Sequence, residues 1–127
     1  EERFMTDVVT DMINAIVAAG HATAIGLDIF AMYVRPTPVS QIAVLPSGGL
    51  NPIVSTDSAH ARPGVQIHIV DSDLASAWNK ALGIWNTFSN ASDVVGQAIW
   101  AARSGPLYMG RMEDGRHKII VEFQIFA

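Results

Sequence analysis

Hydrophobic positions along the chain fall into two helical stripes and several short alternating runs. Met5, Val8, Val9, Met12, Ile13, Ile16 and Val17 recur at spacings of three and four, which puts them on one side of a helix. Thr6 or Asp7 is the predicted N-cap, and Gly20 stands where a C′ glycine ends a helix. Asp7 and Asp11 lie in the half of this helix where its dipole favours negative charge. The second stripe is Leu74, Ala77, Trp78, Ala81, Leu82, Trp85 and Phe88, ending near Ser89. Trp78 and Trp85 share a face with Leu74 and Leu82 at helical spacing, so core packing is expected of both rather than ligand stacking.

The strand candidates show a period of two. Val65, Ile67 and Ile69 alternate with Gln66 and His68, and Asp71-Ser72-Asp73 is expected to end that strand and cap the second helix. Near the end, Ile119, Val121, Phe123 and Ile125 fall on one face. The other face carries Lys118, Ile120, Glu122, Gln124 and Phe126, a mixture that suits a strand inside a sheet. Asp114-Gly115 between apolar runs signals a hairpin, because glycine accepts the positive φ of a tight turn. Gln41–Leu45 is a strand candidate stopped by Pro46 and a Ser47-Gly48-Gly49 turn, and Ile29–Val34 is a shorter one interrupted by Pro36 and Pro38. Val94–Ala102 is expected to pair with the terminal strand across a long, decorated connection.

From Pro46 to Pro63 periodicity fades among proline, glycine, serine and asparagine, which predicts a long loop. Two readings of it stand side by side: a surface loop without fixed partners, or a loop that orders against a neighbouring subunit. The element order is then helix, one or two strands, long loop, strand, helix and two final strands. That order predicts one α+β domain over residues 1–127, with two helices packed on one face of a mostly antiparallel sheet, a long inserted loop and a C-terminal β-hairpin.

Composition narrows the function. The 127 residues are 50% hydrophobic, which excludes a disordered chain, and only 16% are charged. A globular protein usually has about a quarter charged residues, so part of this surface is expected to be covered by partners. Net charge is −4 and the basic residues are scattered, without the stripe that nucleic-acid binding needs. With no cysteine, disulfides and thiolate chemistry are excluded. No apolar run reaches transmembrane length and no signal-peptide pattern opens the chain, so no membrane association is expected.

Candidate chemistry is sparse. Of His21, His60, His68 and His117, His68 with Asp71 and Asp73 just beyond it is the candidate for a metal cluster, and those carboxylates are better used in ending the strand and starting the helix. No His-x-x-x-His pair, Gly-x-Ser-x-Gly elbow, phosphate loop or Gly-x-Gly-x-x-Gly is present. No metal, no cofactor and no catalytic residue is therefore assigned, and an enzyme is not expected. Arg103, Arg111, Arg116 and Lys118 cluster around the hairpin with Glu113 and Asp114. They form either a solvated loop with weak ion pairs or a subunit contact, to which Tyr108 and Met109 would add apolar area.

The run Ser104-Gly105-Pro106-Leu107-Tyr108-Met109-Gly110-Arg111, followed by Glu113-Asp114-Gly115-Arg116 and an alternating strand, resembles the C-terminal signature of tail terminator proteins of long-tailed bacteriophages. These are also labelled minor capsid or tail completion proteins. The family pattern reads roughly Ser-Gly-Pro-x-x-Leu-Gly-Arg-Asp-x-x-Gly-Arg; Met109 replaces the leucine and Met112 the aspartate, which removes one loop carboxylate. The likeness extends more loosely over nearly the whole chain. It implies a compact α/β fold and a structural virion protein that caps the tail tube, ends its polymerisation and forms the docking surface for the head. The implied assembly is a hexameric ring at the tail–neck junction, built in the host cytoplasm. Its implied partners are the tail-tube protein and a head-completion or connector protein, with DNA passing through the channel without sequence-specific binding. The resemblance favours the interface reading for Arg103, Tyr108, Met109, Arg111, Glu113, Asp114 and Arg116. The alternatives are another neck or tail component (a head–tail connector or tail-tube subunit) and a small ligand-binding or hydrolytic α+β domain.

Overall fold

The first apolar stripe folds as α1 (Glu2–Ala18). The helix begins upstream of the predicted caps at Thr6 and Asp7, because Arg3, Phe4 and Met5 continue it without a breaker. Val9, Met12, Ile13 and Ile16 are buried. Its C-terminus closes as expected at Gly20, with φ of 87°. The Gly20 N–H donates to the Val17 carbonyl at 3.0 Å and the His21 N–H to the Ile16 carbonyl at 3.2 Å, the paired bonds of a Schellman motif. The structure, a computed structural model, describes residues 2–54, 59–89, 98–101 and 105–126.

The remaining elements are β1 (Ile29–Ala31), β2 (Gln41–Val54), β3 (Ala59–Asp71), α2 (Leu74–Ser89), β4 (Ala98–Ala101), β5 (Leu107–Arg111) and β6 (His117–Phe126). The strands form one sheet in the order β1-β2-β3-β6-β4, with β5 also on β6. Only the β1–β2 pair is parallel. Register aligns Ile42 with Ile69 and Val44 with Ile67 across β2–β3, then Val65 with Phe123, Ile67 with Val121 and Ile69 with Ile119 across β3–β6. All of these side chains point to one face and are fully buried. Both helices pack there in a single core, which makes the fold α+β with two helices on one side of a mostly antiparallel sheet.

α2 is capped as its sequence predicts: the Asp73 carboxylate accepts the Ala75 N–H at 3.2 Å. Its buried face is Ala77, Ala81, Ile84 and Phe88, turned from the predicted stripe. Two alanines facing the sheet let the helix axis come close, and Phe123 then fills the space beside them. Trp85 stacks on Phe123 at 5.6 Å and Phe88 meets it edge-on at 6.1 Å. Trp78, expected in the core, is 37% exposed and Leu74 is 42% exposed. They lie on the flank of the helix that the alanines turn away from the sheet.

The stretch from Pro46 to Pro63, predicted as a loop, is strand over its described residues. β2 and β3 pair through Ser47–Gly64, Leu50–Arg62, Ile53–His60 and Val54–Ala59. Register shifts between Ser47 and Leu50 and between Leu50 and Ile53 absorb Gly48, Gly49 and Pro52. Those irregularities erase the period of two from the sequence while leaving backbone pairing intact. β6 pairs with β3 only from Gly64 onward. Beyond that point β2 and β3 form a two-stranded arm, without a third strand among the described residues.

Pairing of the run before Arg103 with the terminal strand is realised through Ala98–Ala101, opposite Phe123–Phe126. Residues 94–97, 102 and Arg103 lie outside the described residues. The decorated connection contributes β5, which takes the same edge of β6 further along, opposite residues 117–120.

Candidate subunit interface

The candidate site is the β5–β6 hairpin and what it touches. Gly115, with φ of 89°, occupies the left-handed position at the end of a three-residue loop. The Gly115 N–H donates to the Met112 carbonyl at 3.0 Å, and the Met112 N–H to the Arg116 carbonyl at 2.6 Å. This is the type I turn plus glycine bulge that an Asp-Gly pair at these positions favours. A second glycine with positive φ, Gly110 at 103°, lies at a register shift between Tyr108 and Gly110. The shift turns Met109 outward.

Arg116 is the buried member of the cluster, at 5% exposure. Its Nε donates to the Asp114 carboxylate at 2.8 Å, and its Nη2 forms an ion pair with the same group at 2.6 Å. Nη1 donates to the Pro38 carbonyl at 3.3 Å and Nη2 to the Arg35 carbonyl at 3.1 Å. The fully buried Gln41 side chain serves the same segment: its Nε2 donates to both of those carbonyls, and its Oε1 accepts the Arg35 N–H at 2.8 Å. The result is a clasp that ties the β5–β6 turn to the loop between β1 and β2. Hydrogen bonds from Arg116 hold the Asp114 carboxyl below its ordinary range.

That placement corrects the assignment of Arg116 as a contact residue. A guanidinium already satisfied inside the fold by one carboxylate and two carbonyls has little left for a neighbour. Asp114 is exposed but belongs to the same clasp. The rest of the hairpin faces outward: Tyr108 is 42% and Met109 53% exposed, and Arg111 and Glu113 are exposed. The Tyr108 hydroxyl is hydrogen-bonded to His117 Nδ1 at 2.8 Å, which fixes the ring against the sheet edge.

The sequence did not single out the loop that Arg116 holds. Arg35 turns its guanidinium back, donating to the Ala31 and Tyr33 carbonyls at 2.9 and 2.6 Å and lying 4.6 and 3.9 Å from the Phe30 and Tyr33 ring centroids. Met32 holds a φ of 80°, unusual outside glycine. Around this clasp Ile25, Leu27, Met32, Tyr33 and Val39 are all at least half exposed. The available signal was an apolar run too short for a helix and cut by prolines.

Other polar groups do structural work. On the sheet face away from the helices, His68 is bonded through Nε2 to the Gln66 side chain at 3.1 Å. Burial, helped by Lys118, pushes its pKa down to about 4. His21 joins the helices: its Nε2 lies 2.8 Å from Thr87 Oγ1, whose own proton goes to the Gly83 carbonyl, so His21 is the donor. Among the described residues no group of three or more His, Asp or Glu is placed to share a metal ion. No helix among them is long and apolar enough to cross a membrane.

No family model and no curated protein matches the chain. Its fold is shared with a solved structure whose name states no function, at a TM-score of 0.59 and 13% sequence identity, over 98% of this chain and 94% of the other. A likeness at that identity concerns the fold.

Proposed function

We propose that this protein is a structural virion component that caps a phage tail tube as a homo-oligomeric ring, ends tail polymerisation and gives the head its docking surface. The signature run from Gly105 to Arg116 carries this reading. It folds into an edge strand and turn whose Tyr108, Met109 and Arg111 face solvent while β6 behind them is locked into the sheet. Apolar side chains on an open sheet edge suit an interface, since an exposed edge is a template for association. The β2–β3 arm supports the same reading, because a two-stranded ribbon is marginal in water by itself and gains from a neighbouring surface. A net charge of −4 suits a channel wall that lets DNA slide past without gripping it.

Electron microscopy of a lysate from phage lacking this gene tests the reading. Filled heads beside unattached, overlong tails are expected. Headless tails of normal length would point instead to a connector, absent tails to a tube subunit, and intact infectious particles would overturn any role in the tail.

A further inference from the structure

Asp114-Gly115 is the one place in this chain where glycine follows aspartate or asparagine. Such a pair is chemically fragile, because the glycine nitrogen has no neighbouring Cβ to shield it. That nitrogen can attack the aspartate Cγ: the N–Cγ bond of a succinimide forms, the Cγ–OH bond breaks, and the hydroxyl leaves with the N–H proton as water. Water then adds back at either carbonyl and gives aspartate or isoaspartate, so the net change is an isomerisation. The attack is favoured by a protonated carboxyl, by freedom to swing Cγ onto the nitrogen, and by an N–H without a partner.

The β5–β6 turn opposes all three. The Asp114 side chain is 46% exposed, so water reaches it, but both of its oxygens are held on the Arg116 side. Oδ1 accepts the Arg116 N–H at 3.2 Å, and Oδ2 accepts Nε at 2.8 Å and pairs with Nη2 at 2.6 Å. The guanidinium is itself buried and anchored on the Pro38 and Arg35 carbonyls, so it cannot follow the carboxylate outward. The same hydrogen bonds favour the ionised, unreactive form of Asp114. The Gly115 N–H is already given to the Met112 carbonyl at 3.0 Å. We propose that Asp114-Gly115 is a latent isomerisation site and that Arg116 guards it, holding the Asp114 carboxylate away from the Gly115 nitrogen. Isoaspartate would add a methylene to the backbone of a three-residue loop and carry the carboxyl off its guanidinium, loosening the tie between this turn and the loop after β1. This chemistry is independent of what the protein assembles with.

The purified full chain tests this by ageing in buffer, with isoaspartate at position 114 measured by peptide separation and mass spectrometry. Folded wild type is expected to isomerise far more slowly than the same chain in urea. Folded Arg116→Ala is expected to isomerise about tenfold faster than wild type, the factor one charge-assisted hydrogen bond contributes to a barrier. Arg116→Lys keeps the charge without the fork and is expected to fall between them; it carries the comparison if the alanine variant does not fold. The pH profile separates guarding from mere stability. The rate falls as the carboxyl ionises, and without Arg116 the Asp114 carboxyl returns towards its ordinary range, so the fall is expected to move to higher pH. Ile16→Val weakens the core at α1 without touching the turn and is expected to leave both rate and profile as in wild type. Three results would overturn the proposal: wild type as fast folded as in urea, Arg116 variants as slow as wild type, or Ile16→Val as fast as Arg116→Ala.

Discussion

At the scale of single residues, the informative groups are polar side chains buried inside. Arg116 donates to the carbonyls of a distant segment, so Arg116→Ala removes one of the two donors to the Arg35 and Pro38 carbonyls, which keep Gln41 Nε2, and frees Asp114. A loss of about 1–3 kcal/mol is expected in denaturant unfolding. Arg116→Lys is expected to recover little of it, since an ammonium cannot supply the planar fork. Arg111→Ala, at an exposed position, is expected to leave the melt within about 0.5 kcal/mol of wild type. His68 gives a pH prediction. Lys118 and Glu122 share its face on β6, and Ala43 stands opposite on β2. With a folded pKa of about 4 against an ordinary value of 6.5, the unfolded chain takes up a proton that the fold refuses. The stability from neutral His68 is fully present above pH 6.5 and is lost as pH falls towards 4. Replacing it by Gln should flatten the fall in Tm across that window; an unchanged slope would assign the fall to other groups.

At the scale of elements, the helix pair is joined at one polar point. Gly83 lies under His21, where an added Cβ would stand 3.1 Å from His21 Cε1. Gly83→Ala gains about 1 kcal/mol of helix propensity but presses on a ring bonded to Thr87. The gain should therefore be larger in a His21→Ala background. A double-mutant cycle in urea should show coupling of about 0.5–1 kcal/mol, and additivity would mean that the ring moves aside freely. Elements also show how far the sequence could be read. The end of α1, the cap of α2 and the β5–β6 turn each depend on residues within a few positions, and Gly20, Asp73 and Gly115 announce them. The β2–β3 arm does not announce itself, because its irregular register hides alternation from any window of sequence.

At the scale of the whole molecule, sheet order puts β1 at one edge and β4 and β5 at the other, while the Arg116 clasp ties the loop after β1 to the turn after β5. Tail length in the gene-deleted phage is the readout that concerns what the assembly does.

The sequence by itself determined the class of fold, the two helices, the apolar face of β6 and the turn at Asp114-Gly115, because each follows from local periodicity or backbone preference. It also brought forward Tyr108, Met109 and Arg111 as surface candidates. Only the tertiary structure decided that Arg116 is a clasp, that Trp78 is exposed while Trp85 packs on Phe123, and that Met32 and Tyr33 form a second apolar edge. The clasp and the Trp85 packing depend on partners some forty to eighty positions away, brought together by strand order and helix rotation, which a one-dimensional pattern does not encode.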